Sequence, residues 1–176
     1  MLDRHICVRT DAWRSSVRLS VIAVGRLKDG PERDLCARYQ ERAQGLARGL
    51  GLSGPDVIEL AEGRGRRTEE RRREEAKLIG ERLPPSGLVI ALDERGRSID
   101  SDAFANRLAA ARDAGTPAAT LLIGGADGLD AQLRERAALV LSFGALTMPH
   151  QIVRALVLEQ LYRAMTIMAG HPYHRA

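Results

Sequence analysis

The chain has 176 residues and is 44% hydrophobic, long and apolar enough for one domain with a real core and too apolar for a disordered segment. Aromatics make up only 3%, so the core must be built from Leu, Ile, Val and Ala, which favours a buried sheet between helices over an aromatic-rich β-sandwich. A formal charge of +4 leaves a polyanionic partner open without demanding one, and no apolar run approaches the ~18 residues of a membrane helix.

Strand-like and helix-like stretches alternate along the chain. Arg18 to Gly25 is an apolar run ending on glycine. Pro31 to about Arg48 carries Pro in its first turn and sets Cys36, Tyr39, Ala43, Leu46 and Leu50 on one face, as a helix would. Asp56 to Leu60 reads as a second strand, and Thr68 to Leu83 as a charged helix closed by Pro84 and Pro85. Leu88 to Leu92 is a third strand. Ser101, preceded by Asp100, can cap a helix to about Asp113, and Gly115 suits its end. Ala118 to Ile123 is a fourth strand, Asp130 caps a short helix, Leu139 to Phe143 is a fifth strand, and Pro149 to Ala169 is the last helix. This alternation predicts an α/β fold with a mainly parallel sheet and helices on both faces, forming one domain.

Three loops carry candidate chemistry. In Leu121 to Gly128 a strand runs into Gly124-Gly125-Ala-Asp-Gly128, at the strand end where parallel sheets bind ligands. Its spacing matches neither the dinucleotide fingerprint nor the Walker loop. Asp93-Glu94-Arg95 lies at the equivalent end of the third strand. Gly144 to Pro149 offers backbone N–H and C=O groups that could wrap a flat heterocycle, with His150 and Arg154 following on the helix. Elsewhere, Glu69–Arg73, Arg71–Glu75 and Lys77–Glu81 have i,i+4 spacing and predict a solvated, salt-bridged helix. The preceding Gly63-Arg-Gly-Arg-Arg67 has no acidic residues of its own and is a candidate for contact with phosphate. Cys7 and Cys36 form no CxxC pair and have no ligand cluster beside them, so no metal is expected and a reducing cytoplasmic setting fits. The chain ends in His171-Pro-Tyr173-His174-Arg175, groups able to move protons or donate hydrogen bonds. No serine elbow, zinc helix or cysteine signature is present, which leaves the positioning of a reactive cofactor as the remaining class of enzyme chemistry.

In this order and spacing, LLIGGADG (121–128), LSFGALTMPHQIVRALVLEQLYRAM (141–165) and HPYHRA (171–176) resemble the bacterial 23S rRNA pseudouridine N3-methyltransferases, the RlmH family of the SPOUT superfamily. The resemblance runs from Arg18 to the end of the chain. It implies a deep C-terminal trefoil knot, a homodimer, S-adenosylmethionine as methyl donor, and N3 of a pseudouridine in the 23S rRNA of the assembled ribosome as acceptor. Carried onto matching positions, it assigns Leu92, Gly125, Gly144, Ala145, Leu146, Thr147, Met148 and Pro149 to the cofactor. His174, Tyr173 and His150 become candidates for removing the proton of the base, and Arg154, His171 and Arg175 for holding substrate. Val17 stands where the family's initiating Met falls, so residues 1–17 read as an over-called start or an extension, and residues 18–176 as the methyltransferase domain.

Overall fold

The computed structural model describes residues 16–174. Five strands, β1 (Val17–Val24), β2 (Leu52–Leu60), β3 (Leu88–Arg97), β4 (Ala118–Ile123) and β5 (Leu139–Leu141), form one sheet in the order β2-β1-β4-β3-β5. Every pairing is parallel; Val21 faces Val57 on one side and Leu121 on the other, and Ile90 faces Leu121 and Leu139. Helices α1 (Pro31–Ala47), α2 (Thr68–Gly80), α3 (Ser101–Asp113), α4 (Ala131–Arg136) and α5 (His150–Met168) make the crossovers and the C-terminal cover.

Near-continuous apolar strands mean that both faces of the sheet are covered. Leu19, Val21 and Ala23 point to one side, where Cys36 and Ala43 of α1, Phe104 and Leu108 of α3, and Leu158, Leu161 and Met165 of α5 pack on them. Ile22 and Val24 point to the other side, against Ile79 of α2 and Leu133 of α4. All six residues of β4 are buried, as its central place requires.

Several boundaries differ from the sequence reading for identifiable reasons. β2 begins at Leu52 rather than Asp56, because an irregularity around Gly54 and Pro55 interrupts the ladder without ending it. A proline is tolerated there since β2 is an edge strand. β3 runs past Leu92 to Arg97, and its polar end still reaches β5, with Ser142 N–H donating to Arg97 O at 3.0 Å. Asp100, not Ser101, caps α3, accepting from Ala103 N–H at 2.7 Å. Pro149 is the cap residue of α5 rather than its first turn.

One polar contact fixes α5. The side chain of Arg154 is fully buried, ion-paired with Glu59 of β2, and donates to the backbone oxygen of Gly25 at 2.9 Å. The Glu59 carboxylate also accepts from Leu27 N–H at 3.0 Å. Arg154 is therefore no surface charge, and its assignment to substrate is corrected: its guanidinium is engaged inside the fold. An Arg154→Met variant fills similar space but leaves Glu59 without its counter-charge. Urea denaturation is expected to give a stability loss of about 3 kcal/mol.

Candidate functional site

A cleft of about 670 Å³ opens beyond the carboxyl ends of β3, β4 and β5, where parallel sheets present their ligand loops. Its walls include Leu92, Gly125, Gly144, Leu146, Thr147, Met148, Pro149 and His150, so most of the predicted cofactor residues and one predicted proton acceptor come together. Ala145 does not line it. Ile123, Leu141 and Phe143 add apolar wall, and Asp93 and Glu94 add carboxylates.

Polar contacts that the sequence did not reveal hold these loops. The Ser142 hydroxyl accepts from Gly144 N–H at 3.1 Å and lies 3.2 Å from the backbone oxygen of Glu94, fastening the 144–149 loop to the extension of β3. Thr147 donates to the Glu94 carboxylate at 3.2 Å. Asp93 receives Arg134 of α4 at 2.8 Å and Arg95 N–H at 2.9 Å. Burial pushes the Asp93 carboxyl up, but these donors outweigh it and leave it below the usual range.

Helix α2 differs most from expectation. Among the described residues, none of the i,i+4 pairs Glu69–Arg73, Arg71–Glu75 and Lys77–Glu81 closes as an ion pair. Arg71 instead forks onto Asp127 in the glycine turn, at 2.6 and 3.0 Å, and Arg72 donates to the Asp127 backbone oxygen at 2.8 Å. The Arg71 hydrogen bond holds the Asp127 carboxyl below its ordinary value. Glu75 is buried and accepts from Gly63 N–H at 3.0 Å and from the Gly125 N–H. Burial pushes its carboxyl up. No periodicity marks a helix whose charges serve two loops instead of each other.

The tail lies elsewhere. Tyr173 donates to Glu159 at 3.2 Å, packs 4.7 Å from the Tyr162 ring, and has the Arg163 guanidinium 5.0 Å above its own ring. Arg163 also bonds Glu159 at 2.6 Å, one turn away on α5. Tyr39 stands 6.2 Å from Tyr162, so all three tyrosines of the chain share one cluster. His171 accepts from Tyr173 N–H at 3.1 Å, and His174 lies 3.6 Å from Asp102. Arg175 lies outside the described residues. Glu159 is nine positions along α5 from His150, roughly 14 Å of helix, and none of the described tail residues lines the cleft of its own chain. Burial, the bond with Tyr39 and the Glu159 charge push the Tyr173 phenol up to about 12.

Residues 17–174 match the family model described as "Predicted SPOUT methyltransferase". The chain belongs to the SPOUT methyltransferase family. Within it, the chain is 56% identical over 160 residues to the protein named ribosomal RNA large subunit methyltransferase H of Methylobacterium radiotolerans, covering 90% of this chain and 98% of that one. It is 57% identical over 159 residues to the protein of the same name from Methylobacterium sp. strain 4-46, with the same coverage of 90% and 98%. A crystal structure of a probable methyltransferase from Bordetella pertussis Tohama I superposes with a TM-score of 0.50 at 14% identity, over 86% of this chain and 96% of that one, a likeness of fold alone.

Three outcomes test the site. Asp127→Asn removes the ionic half of the Arg71 bond and should weaken binding of S-adenosylmethionine several-fold in calorimetry. Because the folded-state pKa of Asp127 is lowered, its stabilising effect is present above the unfolded value near ~4 and is lost as pH falls through the folded one. The melting temperature of Asp127→Asn should therefore fall less steeply than that of the parent on acidification below about 4. Separately, an ultraviolet difference titration of the parent against Tyr173→Phe should show the Tyr173 ionisation near pH 12, not near the ordinary value of about 10.

Proposed function

We propose that this SPOUT protein is an S-adenosylmethionine-dependent methyltransferase of large-subunit ribosomal RNA, modifying N3 of a pseudouridine in the assembled ribosome and working as a homodimer in the cytoplasm. The observation that carries the proposal is the cleft, assembled from Leu92, Gly125 and the 144–149 loop in a chain whose relatives of nearly equal length bear the large-subunit methyltransferase name. The size of the cleft suits a nucleoside cofactor. Its composition fits as well, with apolar side chains for a flat ring, loop backbone for hydrogen bonds at the ring edge, and the Asp93 and Glu94 carboxylates for a cationic centre. When bound there, the cofactor supplies a methyl group activated on a sulfonium.

The remaining tasks fall to the chain. The imide N–H of pseudouridine is a weak acid, so a base must take its proton or a cation must favour the anion. His150 lies in the cleft and takes the first task in our reading. Tyr173 is held neutral and serves as a hydrogen-bond donor instead. The distance between the tail and its own cleft supports a shared site in which His171, Tyr173, His174 and Arg175 of one protomer face the other's cleft. Exposed Leu146 (79%) on the cleft wall and Ile152 (40%) in the first turn of α5 support a covering partner. The contact of Ser142, just past β5, with Arg97 and Glu94 of the β3 extension fits the trefoil knot expected of the family.

Labelled methyl transfer from S-adenosylmethionine to ribosomes lacking the modification, to isolated subunits and to tRNA tests the proposal. Label in the large-subunit RNA of whole ribosomes, mapped to N3-methylpseudouridine by mass spectrometry, is expected. Label in tRNA alone would overturn it, as would tight cofactor binding without transfer to any RNA.

A further inference from the structure

We infer that the Gly63–Arg67 loop is a preformed clamp for the phosphodiester backbone of the RNA substrate, set beside the cofactor cleft. This rests on the function proposed above and adds the surface that holds the nucleic acid.

The loop is built to be rigid. Three carboxylates of α2 hold its backbone amides: Glu75 takes Gly63 N–H at 3.0 Å, Glu74 takes Arg64 and Gly65 N–H at 2.7 and 3.3 Å, and Glu70 takes Arg66 and Arg67 N–H at 3.1 and 3.4 Å. Arg71 binds the backbone oxygens of Gly65 and Arg66 from the same helix, both at 3.3 Å. The two glycines allow this contact. A Cβ on Gly63 would lie 2.6 Å from Arg71 O, and one on Gly65 would lie 2.5 Å from Glu70 Cβ. Alternation of glycine and arginine thus presses the chain onto α2.

The arginine side chains are left over. Arg64, Arg66 and Arg67 are exposed, and their guanidiniums have no ion pair or hydrogen bond among the described residues. Glu70 and Glu74 are turned to the loop backbone and Glu75 is buried, so none of the three forms an ion pair with these arginines. A fixed backbone spares the cost of ordering the loop when its cations meet a polyanion, and each phosphate they neutralise releases counterions.

Position decides the partner. Arg71 bonds the loop with one nitrogen and Asp127 of the glycine turn with the others, while Glu75 bridges Gly63 and Gly125. The arginine loop and the wall of the cleft are therefore two sides of one α2 scaffold, and a strand whose base enters the cleft has its flanking phosphates beside the arginines. A free nucleotide would need one cation here, not a row of three.

The test compares the parent with the triple variant Arg64→Ala, Arg66→Ala, Arg67→Ala, measuring methylation of purified unmodified ribosomes over a range of salt. Loss of three phosphate contacts should make the slope of log kcat/KM against log salt shallower by about two to three and lower kcat/KM at physiological salt. The triple lysine variant should recover much of the slope, since lysine keeps the charge. Cofactor affinity by calorimetry and melting temperature should match the parent, because the side chains touch neither the cleft nor the core. An unchanged salt slope and kcat/KM in the alanine variant, with the parent active, would overturn the clamp and leave the proposed activity standing. An inactive parent would instead overturn the proposed activity.

Discussion

The buried guanidinium of Arg154 is the constraint on which the rest of the site depends. It ties the first turns of α5 to Glu59 on the edge strand β2 and to the backbone oxygen of Gly25 just past the interior strand β1. The 144–149 loop has α5 as its far anchor and the Ser142–Glu94 contact as its near one. Fixing both ends turns a loop of small and apolar residues into a wall. A close contact reinforces the seat: a Cβ on Gly25 would come within 2.9 Å of His150 Nε2. The imidazole we assign as proton acceptor is held at the same junction.

On the opposite side of the sheet, α2 plays a comparable part with exposed chemistry. Its acids bind amides and its arginines bind a carboxylate and carbonyls, so the helix joins the glycine turn to the arginine loop through polar contacts. The cleft is thus flanked by two rigid supports of different kinds, a buried ion pair under α5 and a hydrogen-bonded lattice on α2. Preorganisation of this kind lets a site bind through backbone groups, which have no rotamers to restrict.

Much of the fold was legible because its signal is local. β4 is Ala118–Ile123 as the apolar run indicates, α3 and α4 begin beside their Asp caps, and the alternation of elements gives the parallel sheet with helices on both faces. Leu92, Gly125, Gly144 and Met148 meet in one cleft as the motifs imply. What was not legible depends on distant partners. Arg154 has the spacing of a surface charge, and only Glu59, 95 positions earlier, makes it a core residue. Arg71 has Glu75 at salt-bridge spacing but pairs with Asp127, 56 positions later. Ser142 and the Tyr39–Tyr162–Tyr173 cluster are likewise set by packing between elements that sequence spacing does not relate.

The span of the Arg154 contact also bears on how the molecule comes into being. Gly25 and Arg154 are 129 positions apart, and β1 pairs with β4, whose residues are translated about a hundred positions later. Such distant pairings carry a large loop-closure cost before any contact rewards it, which makes assembly slow relative to helical bundles. The interior strand β1 is thus made well before β4, the middle strand of the sheet that pairs with it. A nascent chain that ends before α5 has no anchor for the 144–149 loop, so the cleft is acquired only after α5 has been made. A protein we assign to work on ribosomes therefore becomes competent only once that helix has been translated and packed.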